Sequence, residues 1–202
     1  MSIENLQSRY IEITGKPSTD RANLKLALKK SKIIMVGEDH NDDYCRKFIE
    51  QLIKEFNPKY FLTEHTQYLS VYPNEFKKRL DTLGKDGLPK NNYTEYWLKI
   101  GMKYNIPFIG MDYKPKNNEL KDFEKVVYKD NMVKSFKLRE TDMCKDIHLY
   151  SKKGKILVQV GDSHLRTTKS KYFGDASPLY TEFASREDVT IFRLDRKYQE
   201  CP

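Results

Sequence analysis

The chain has 202 residues, 38% of them hydrophobic, with a formal net charge of +8. This apolar content supports a folded core and excludes a disordered chain, and the short apolar runs exclude a membrane helix, which needs about 20 residues. Three widely spaced cysteines exclude a disulfide framework and a zinc ribbon, and the start MSIENLQSRY lacks a signal-peptide pattern. We therefore expect a cytoplasmic protein, while a secreted effector or a phage origin stays open.

The positive charge does not by itself indicate a nucleic-acid-binding protein. The basic residues are spread along the chain among 29 acidic ones, and their densest patches, Lys25–Lys32, Lys77–Lys90 and Lys152–Lys171, match no nucleic-acid-binding motif. The expected partner is a small-molecule or peptide substrate, and an oligomer is possible.

Strand-like and helix-like segments alternate along the chain. The continuous apolar runs are typical of strands covered on both faces, and the helical segments carry start and stop signals such as Asn57-Pro58 and Gly154. In chain order we predict helix Asp20–Lys30, strand Ile33–Gly37, helix Asp42–Phe56, strand Lys59–Thr63, strand Pro107–Met111, helix Asp130–Lys153, strand Lys155–Gly161 and strand Val189–Leu194. The pattern predicts an α/β fold with a mostly parallel central sheet flanked by helices. Because it alternates more, Val189–Leu194 is predicted as an edge strand.

The connection Thr66–Asn105 is too long for a simple crossover. Its aromatic, helix-like pieces predict a helical insertion or cap (66–105) within a single domain spanning 1–202. The aromatic side chains either contact substrate over the site or form a separate hydrophobic cluster. The candidates for substrate contact are Tyr68, Tyr72, Tyr93 and Trp97.

Each of the four core strands runs directly into polar residues able to do chemistry. Because the carboxyl ends of parallel strands meet at one edge, these residues should gather in one crevice. In the two Gly-x-x-His segments, GEDH (37–40) and GDSH (161–164), we expect the glycine to let the backbone bend sharply off the strand. Each residue taken alone has a structural explanation as a cap or turn former; together they indicate a site. The candidates are Glu38, His40, Glu64, His65, Asp112 and His164.

Two imidazoles and a carboxylate are a workable set of ligands for Mn, Co, Zn or Fe. We therefore predict a divalent metal held by His40, His164 and Glu64, with Glu38 as the alternative carboxylate. Asp112 and His65 are predicted on the substrate side.

The long helix adds an arginine to this site. Phe136, Met143, Ile147 and Tyr150 form its apolar stripe, and Arg139 falls on the same stripe. An inward-facing guanidinium needs an anion, so we expect a carboxylate or substrate beside Arg139.

The string GDSHL does not predict a serine nucleophile at Ser163. No histidine follows His164 in the chain, so a later base of the kind that GDSL lipases use is missing.

These motifs together resemble the Tiki/TraB group, whose superfamily includes erythromycin-esterase-like, ChaN-like haem-binding and Pasteurella-toxin-type domains. The first turn is similar to the GExH of the esterase and ChaN branches, which implies roles for Glu38 and His40. PFIGMD and RETDM are similar to the third-strand Asp and helical Arg segments, at Asp112 and Arg139. The resemblance runs from Ile33 to His164.

The resemblance implies a hydrolase, a peptidase or esterase, that acts through an activated water. The water is activated either by a metal or by His and Glu alone; Glu38 or Glu64 serves as catalytic carboxylate, and Arg139 stabilises the oxyanion. Two alternatives stay open: a binding protein for haem or another small ligand without turnover, and a toxin or effector domain.

Overall fold

The computed structural model describes residues 10–12, 24–39, 42–66, 70–84, 92–112, 132–169 and 175–194. Its strands are β1 (Tyr10–Glu12), β2 (Ile33–Glu38), β3 (Tyr60–Thr66), β4 (Phe108–Asp112), β5 (Ile156–Gly161) and β6 (Val189–Leu194). Its helices are α1 (Leu24–Lys30), α2 (Asp43–Phe56), α3 (Phe76–Thr82), α4 (Asn92–Tyr104), α5 (Met132–Ser151) and α6 (Pro178–Phe183). Short 3₁₀ helices cover Pro73–Glu75 and Asp162–Leu165.

The strands form one sheet in the order β1-β6-β2-β5-β3-β4. Strands β2 to β6 are parallel, and β1 runs antiparallel to β6. The predicted α/β fold with a mostly parallel sheet is confirmed. The prediction that Val189–Leu194 is an edge strand is wrong, because β1 covers its outer side. Thr190, one of the two polar residues of this run, is buried and shares a 2.7 Å hydrogen bond with the Ser31 hydroxyl.

The two faces of the sheet carry separate apolar layers, as the two-residue period of a strand requires. In β2, Ile34 and Val36 point into the layer that contains Phe48 of α2 and Trp97 of α4. The intervening residues of β2 point into the layer formed with α5 and α6, around Met143, Ile147, Leu179 and Phe183. Along β2 the parity of a residue therefore decides which face it occupies.

Helix α2 has the boundaries that its end signals predict. The Asp42 carboxylate accepts a 2.7 Å hydrogen bond from the Tyr44 amide at the start. At the end, Asn57 adopts a left-handed conformation with φ 49°, and its amide bonds the Ile53 carbonyl. This cap stops the helix before Pro58 and turns the chain into β3.

In its described parts the long connection between β3 and β4 is helical, as predicted, with α3 and α4 as its main helices. Helix α4 packs on the sheet as a crossover, and Trp97 is fully buried in the layer with Phe61 and Phe108. Val71 pairs with Phe108 beside β4. Trp97 is therefore a core residue, while Tyr72 is 45% exposed.

The glycine of the first Gly-x-x-His segment has a different role from the predicted one. Gly37 lies inside β2, and neither it nor Gly161 has a positive φ. A Cβ at Gly37 would lie 2.7 Å from an Asp162 carboxylate oxygen and 3.1 Å from a Leu165 methyl carbon. Gly37 is needed for the close approach of the turn after β5.

None of the helices in the described ranges is long and apolar enough to span a membrane.

Candidate functional site

A connected group of charged side chains lies on the α5 face of the sheet, at the carboxyl ends of the strands. Its members are Glu64 of β3, Asp112 of β4, Arg139 and Glu140 of α5, and His164 and Arg166 after β5. We call this group the charge network. Three of its members, Glu64, Asp112 and His164, are strand-end residues that the sequence analysis singled out, so the sheet does bring them together.

Arg139 links two strands through its guanidinium group. Its Nε and Nη2 atoms donate to the two Asp112 carboxylate oxygens, each at 2.8 Å, and Nη2 also lies 2.6 Å from Glu64 Oε1. These carboxylates raise the pKa of Arg139 even though burial opposes the charge. The predicted anionic partner of Arg139 is thus a pair of carboxylates from neighbouring strands.

Glu64 is the centre of the charge network. Its Oε1 accepts from Arg139 and lies 3.0 Å from His164 Nε2, and its Oε2 accepts a 2.7 Å hydrogen bond from the Gly161 amide. These donors come from α5, from the turn after β5 and from β5 itself. Glu64 therefore has a fixed orientation and is held as a carboxylate.

His164 lies between two carboxylates and is only 1% exposed. Its Nδ1 is 3.0 Å from Glu140 Oε1, and its Nε2 is 3.0 Å from Glu64 Oε1. Burial by itself lowers the pKa of His164, but the charge of Glu64 and the hydrogen bonds to both carboxylates outweigh this effect and raise the pKa to about 9. At neutral pH the ring is an imidazolium that donates from both nitrogens.

Glu140 and Arg166 are members of the charge network that the sequence analysis missed. Glu140 is fully buried, and Arg166 Nη1 donates to its Oε1 at 3.1 Å. A signal for Glu140 was present, because it precedes Met143 and Ile147 by three and seven residues and so lies on the apolar stripe of α5. Arg166 carries no comparable signal, since it lies in a loop two residues after His164.

Glu38 lies in a second polar cluster on the opposite face of the sheet. Its Oε1 accepts hydrogen bonds from the Tyr93 hydroxyl and from Gln159 Nε2. Gln159 Nε2 also contacts the Tyr93 oxygen at 2.6 Å. We expected Glu38 and Arg139 in one group, but they lie on opposite faces of the sheet. Because side chains alternate along a strand, Glu38 lies on the same face as Val36, and Glu64 lies on the same face as Leu62.

The two clusters still interact electrostatically. Burial is the largest cause of the raised pKa of Tyr93, followed by the charge and hydrogen bond of Glu38, and the charge of Glu64 adds to them. The negative charges of Glu38 and Glu64 therefore both raise the pKa of the Tyr93 hydroxyl, although the two carboxylates lie on opposite faces of the sheet.

Other predicted residues have different placements. His40 and Tyr68 lie outside the described residues, as does the side chain of His65. Tyr72 has no contact with the charge network among the hydrogen bonds of the described chain; its amide bonds Glu75 at 3.1 Å. Asp162 pairs with Arg193 of β6 through both of its oxygens, so it ties the turn after β5 to the sheet.

The described donor set does not fit a divalent cation. Both ring nitrogens of His164 face carboxylates, and Glu64 already accepts from Arg139, His164 and the Gly161 amide. Within the described ranges no three His, Cys, Asp or Glu side chains are grouped so that they could hold a metal ion. Because His40 lies outside these ranges, the predicted pairing of His40 with His164 stays a prediction.

The fold is similar to that of known proteins, at low sequence identity. ChaN of Campylobacter jejuni, solved with cofacially bound haem, aligns over 96% of this chain and 92% of its own, with 15% identity and a TM-score of 0.53. The type III effector HopBA1 aligns over 76% and 77% with 14% identity and a TM-score of 0.42, and a Bacillus cereus protein over 94% and 73% with 12% identity and a TM-score of 0.48. No family model and no curated protein matches the chain. The chain therefore has a ChaN-like fold.

Proposed function

We propose that the chain is a hydrolase that activates a water molecule at the carboxyl edge of the sheet, with the charge network as its centre. The observation that carries this proposal is His164, a buried imidazolium held between Glu64 and Glu140 with the Arg139 guanidinium beside it. Clusters of buried ionisable groups with shifted pKa values at a strand edge are typical of active sites.

In the proposed reaction Glu64 takes a proton from the attacking water and passes it to the leaving group. His164, whose two ring nitrogens donate to Glu64 and Glu140, holds Glu64 in position. Arg139 stabilises the negative charge that develops on the substrate, because its guanidinium group is already oriented by Asp112. Glu38, held by Tyr93 and Gln159 on the opposite face of the sheet, takes no direct part in this reaction. Water supplies the hydroxyl of the product acid, and its second proton goes through Glu64 to the leaving group.

The test measures hydrolysis of a panel of p-nitrophenyl esters and fluorogenic peptides by the wild-type chain and by His164→Gln. Loss of the imidazolium that holds Glu64 in position should remove general acid–base catalysis and lower kcat/KM about 10²-fold to 10⁴-fold. The matched control is His148→Gln: His148 is an exposed partner of Glu182 outside the charge network, so its replacement should leave activity unchanged. Thermal melting shows whether each variant is folded. A folded His164→Gln variant with wild-type turnover, or a wild-type chain without turnover on either substrate class, contradicts the proposal.

A second candidate is ligand binding without turnover, and its support is the shared fold with ChaN of Campylobacter jejuni, which binds haem. Titration of the chain with haemin distinguishes it from the first. A saturable Soret band at stoichiometric haem, together with absent hydrolysis, would favour this candidate over the hydrolase.

A further inference from the structure

A row of lysines lies at the amino edge of the sheet, the edge opposite the charge network. Lys32, Lys155 and Lys59 come immediately before β2, β5 and β3, which are neighbours in the sheet. The Lys59 amide donates a 2.8 Å hydrogen bond to the Lys155 carbonyl, and the Ile156 amide donates one of 2.9 Å to the Lys32 carbonyl. The row therefore places three exposed lysines side by side.

The helix ends add further lysines to this row, because each helix that precedes a strand ends at the same edge. These exposed lysines are Lys29, Lys30, Lys54, Lys152 and Lys153. We call them, together with the three lysines of the row, the basic edge.

Few carboxylates lie near the basic edge. The acidic side chains of the same helix-to-strand segments are Glu55, Glu182, Glu187 and Asp188. Glu182 pairs with His148, and Asp188 pairs bidentately with Arg186. Within the described residues the lysines that form ion pairs are Lys99, Lys103 and Lys145. The positive charge of the basic edge is therefore not neutralised by ion pairs inside the described chain.

Exposed apolar side chains lie at the same edge. The described residues include four large hydrophobic side chains with exposures of 45% to 49%, and three of them, Tyr72, Met102 and Leu149, lie here. Met102 and Leu149 belong to the last turns of α4 and α5, on opposite faces of the sheet. Tyr72 follows Val71, which pairs with the first residue of β4. The amino edge thus combines lysines with apolar groups that nothing in the described chain covers.

The aromatic rings beside the basic edge favour a bilayer over a nucleic acid as its partner. Lys153 Nζ lies 4.5 Å from the centroid of the Tyr150 ring, and Lys155 Nζ lies 4.9 Å from that of Phe56. Rings whose faces meet ammonium groups are not available to stack on bases, as single-stranded nucleic acids require. Lysine, tyrosine and exposed apolar side chains together are typical of proteins that lie on a membrane surface.

We propose that the amino edge of the sheet binds the surface of an anionic lipid bilayer. The lysines of the basic edge contact the acidic headgroups, and Tyr72, Met102 and Leu149 enter the headgroup region. The charge network, at the opposite edge, then faces away from the bilayer. The proposal concerns binding alone, so it holds or fails independently of the proposed hydrolysis.

Sedimentation of the full chain with lipid vesicles tests the proposal. One set of vesicles contains phosphatidylcholine alone, and the other contains phosphatidylcholine with about one-third phosphatidylserine. We expect binding to the anionic vesicles that decreases as salt is added, and much weaker binding to the neutral ones. Equal binding to both sets, binding to neither, or binding to a single-stranded oligonucleotide in place of the anionic vesicles would overturn the proposal.

The double variant Lys54→Glu, Lys152→Glu reverses two exposed charges of the basic edge. Each lysine near an anionic surface raises the affinity about fivefold, so this variant should bind the vesicles about twentyfold more weakly or worse. The control is Lys137→Glu, Lys169→Glu, which makes the same change of net charge at two exposed positions on the side of the charge network. An equal loss in the two double variants would mean that net charge alone determines binding, which contradicts the proposal.

Leu149→Gln tests the apolar contribution. Leu149 is 49% exposed, and Leu138, which is 48% exposed beside Arg139 on the same helix, provides the control. We expect Leu149→Gln to weaken vesicle binding about fivefold or more and Leu138→Gln to leave it unchanged, with thermal melting showing that both are folded. Unchanged binding by a folded Leu149→Gln variant would exclude a bilayer as the partner, since a soluble polyanion needs no apolar contact.

Discussion

A planar guanidinium can bond two carboxylates at once, and Arg139 uses this property to join β3 to β4. Lysine keeps the charge but cannot occupy both Asp112 oxygens and reach Glu64. We expect Arg139→Lys to fold, to lose about 1–3 kcal/mol of unfolding free energy through a lost charge-assisted hydrogen bond, and to lose activity. Arg139→Gln leaves two carboxylates without their cation, so its loss should be larger, about 3–5 kcal/mol.

Urea denaturation of the two variants measures these losses. The matched control is Arg186→Lys, since Arg186 pairs bidentately with Asp188 on the surface, where an ion pair contributes little. Equal losses at Arg139 and Arg186 would mean that the contacts of Arg139 with Glu64 and Asp112 contribute no more than a surface ion pair.

His164 makes the stability of the chain dependent on pH. Its pKa is about 9 in the folded chain, above the ordinary value of 6.5, because Glu64 and Glu140 outweigh the effect of burial. The imidazolium therefore stabilises the fold fully below pH 6.5, and this contribution is lost as the pH rises through 9. The total loss should be on the order of 3 kcal/mol.

Urea denaturation at a series of pH values between these two limits checks this expectation. His164→Gln removes the titrating ring, so the decline over this window should be much smaller in the variant. A wild-type unfolding free energy that stays constant across the window would show that the ring is neutral in the folded chain.

At the scale of elements, the contact between β2 and the turn after β5 depends on the missing side chain of Gly37. A Cβ there would meet both a carboxylate oxygen and the Cα of Asp162, the latter at 3.2 Å. Since Arg193 holds Asp162, the turn cannot easily move away. We expect Gly37→Ala to lose about 1–3 kcal/mol of unfolding free energy through overpacking.

The control for Gly37→Ala is a volume-conserving change in the same strand. Met35→Leu lies in the fully buried layer against α5 and should cost less than about 1.5 kcal/mol. Thermal melting compares the two. A Gly37→Ala variant as stable as wild type would mean that the turn carrying His164 is free to shift.

At the scale of the whole molecule, one sheet supports both apolar layers, and this arrangement predicts cooperative unfolding. Trp97 is the single tryptophan of the chain and is fully buried against Phe61, with ring centroids 5.1 Å apart. Its fluorescence reports the α4 layer, and far-UV circular dichroism reports all helices. We expect the two signals to change at the same urea concentration, as in a single domain.

Two separate transitions would show that the region between β3 and β4 is a distinct folding unit. Trp97→Phe, which retains an aromatic ring but leaves a gap beside Tyr96, should shift the circular dichroism transition to lower urea without splitting it. Unchanged stability in this variant would contradict its placement in the core.

The apolar runs of the sequence were sufficient to predict the parallel sheet and the strand-end position of Glu64, Asp112 and His164. A strand that is buried on both faces needs apolar residues at every position, so it can be recognised from its own residues alone. The apolar stripe of α5 likewise predicted that Arg139 meets an anion. The prediction that β6 is an edge strand was wrong. The alternation of polar and apolar residues in β6 carries no information about β1, a distant segment that pairs with its outer side.

The tertiary structure alone decided which strand-end residues share a face. Glu38 and Glu64 look equivalent in sequence, yet they lie in different clusters, because a shift of one residue in register exchanges the faces of a whole strand. Register depends on how all strands pack together, and no single segment encodes it. For the same reason the sequence did not identify Glu140 and Arg166 as the partners that complete the surroundings of His164: contacts between a helix, a turn and a sheet exist only once the three are packed.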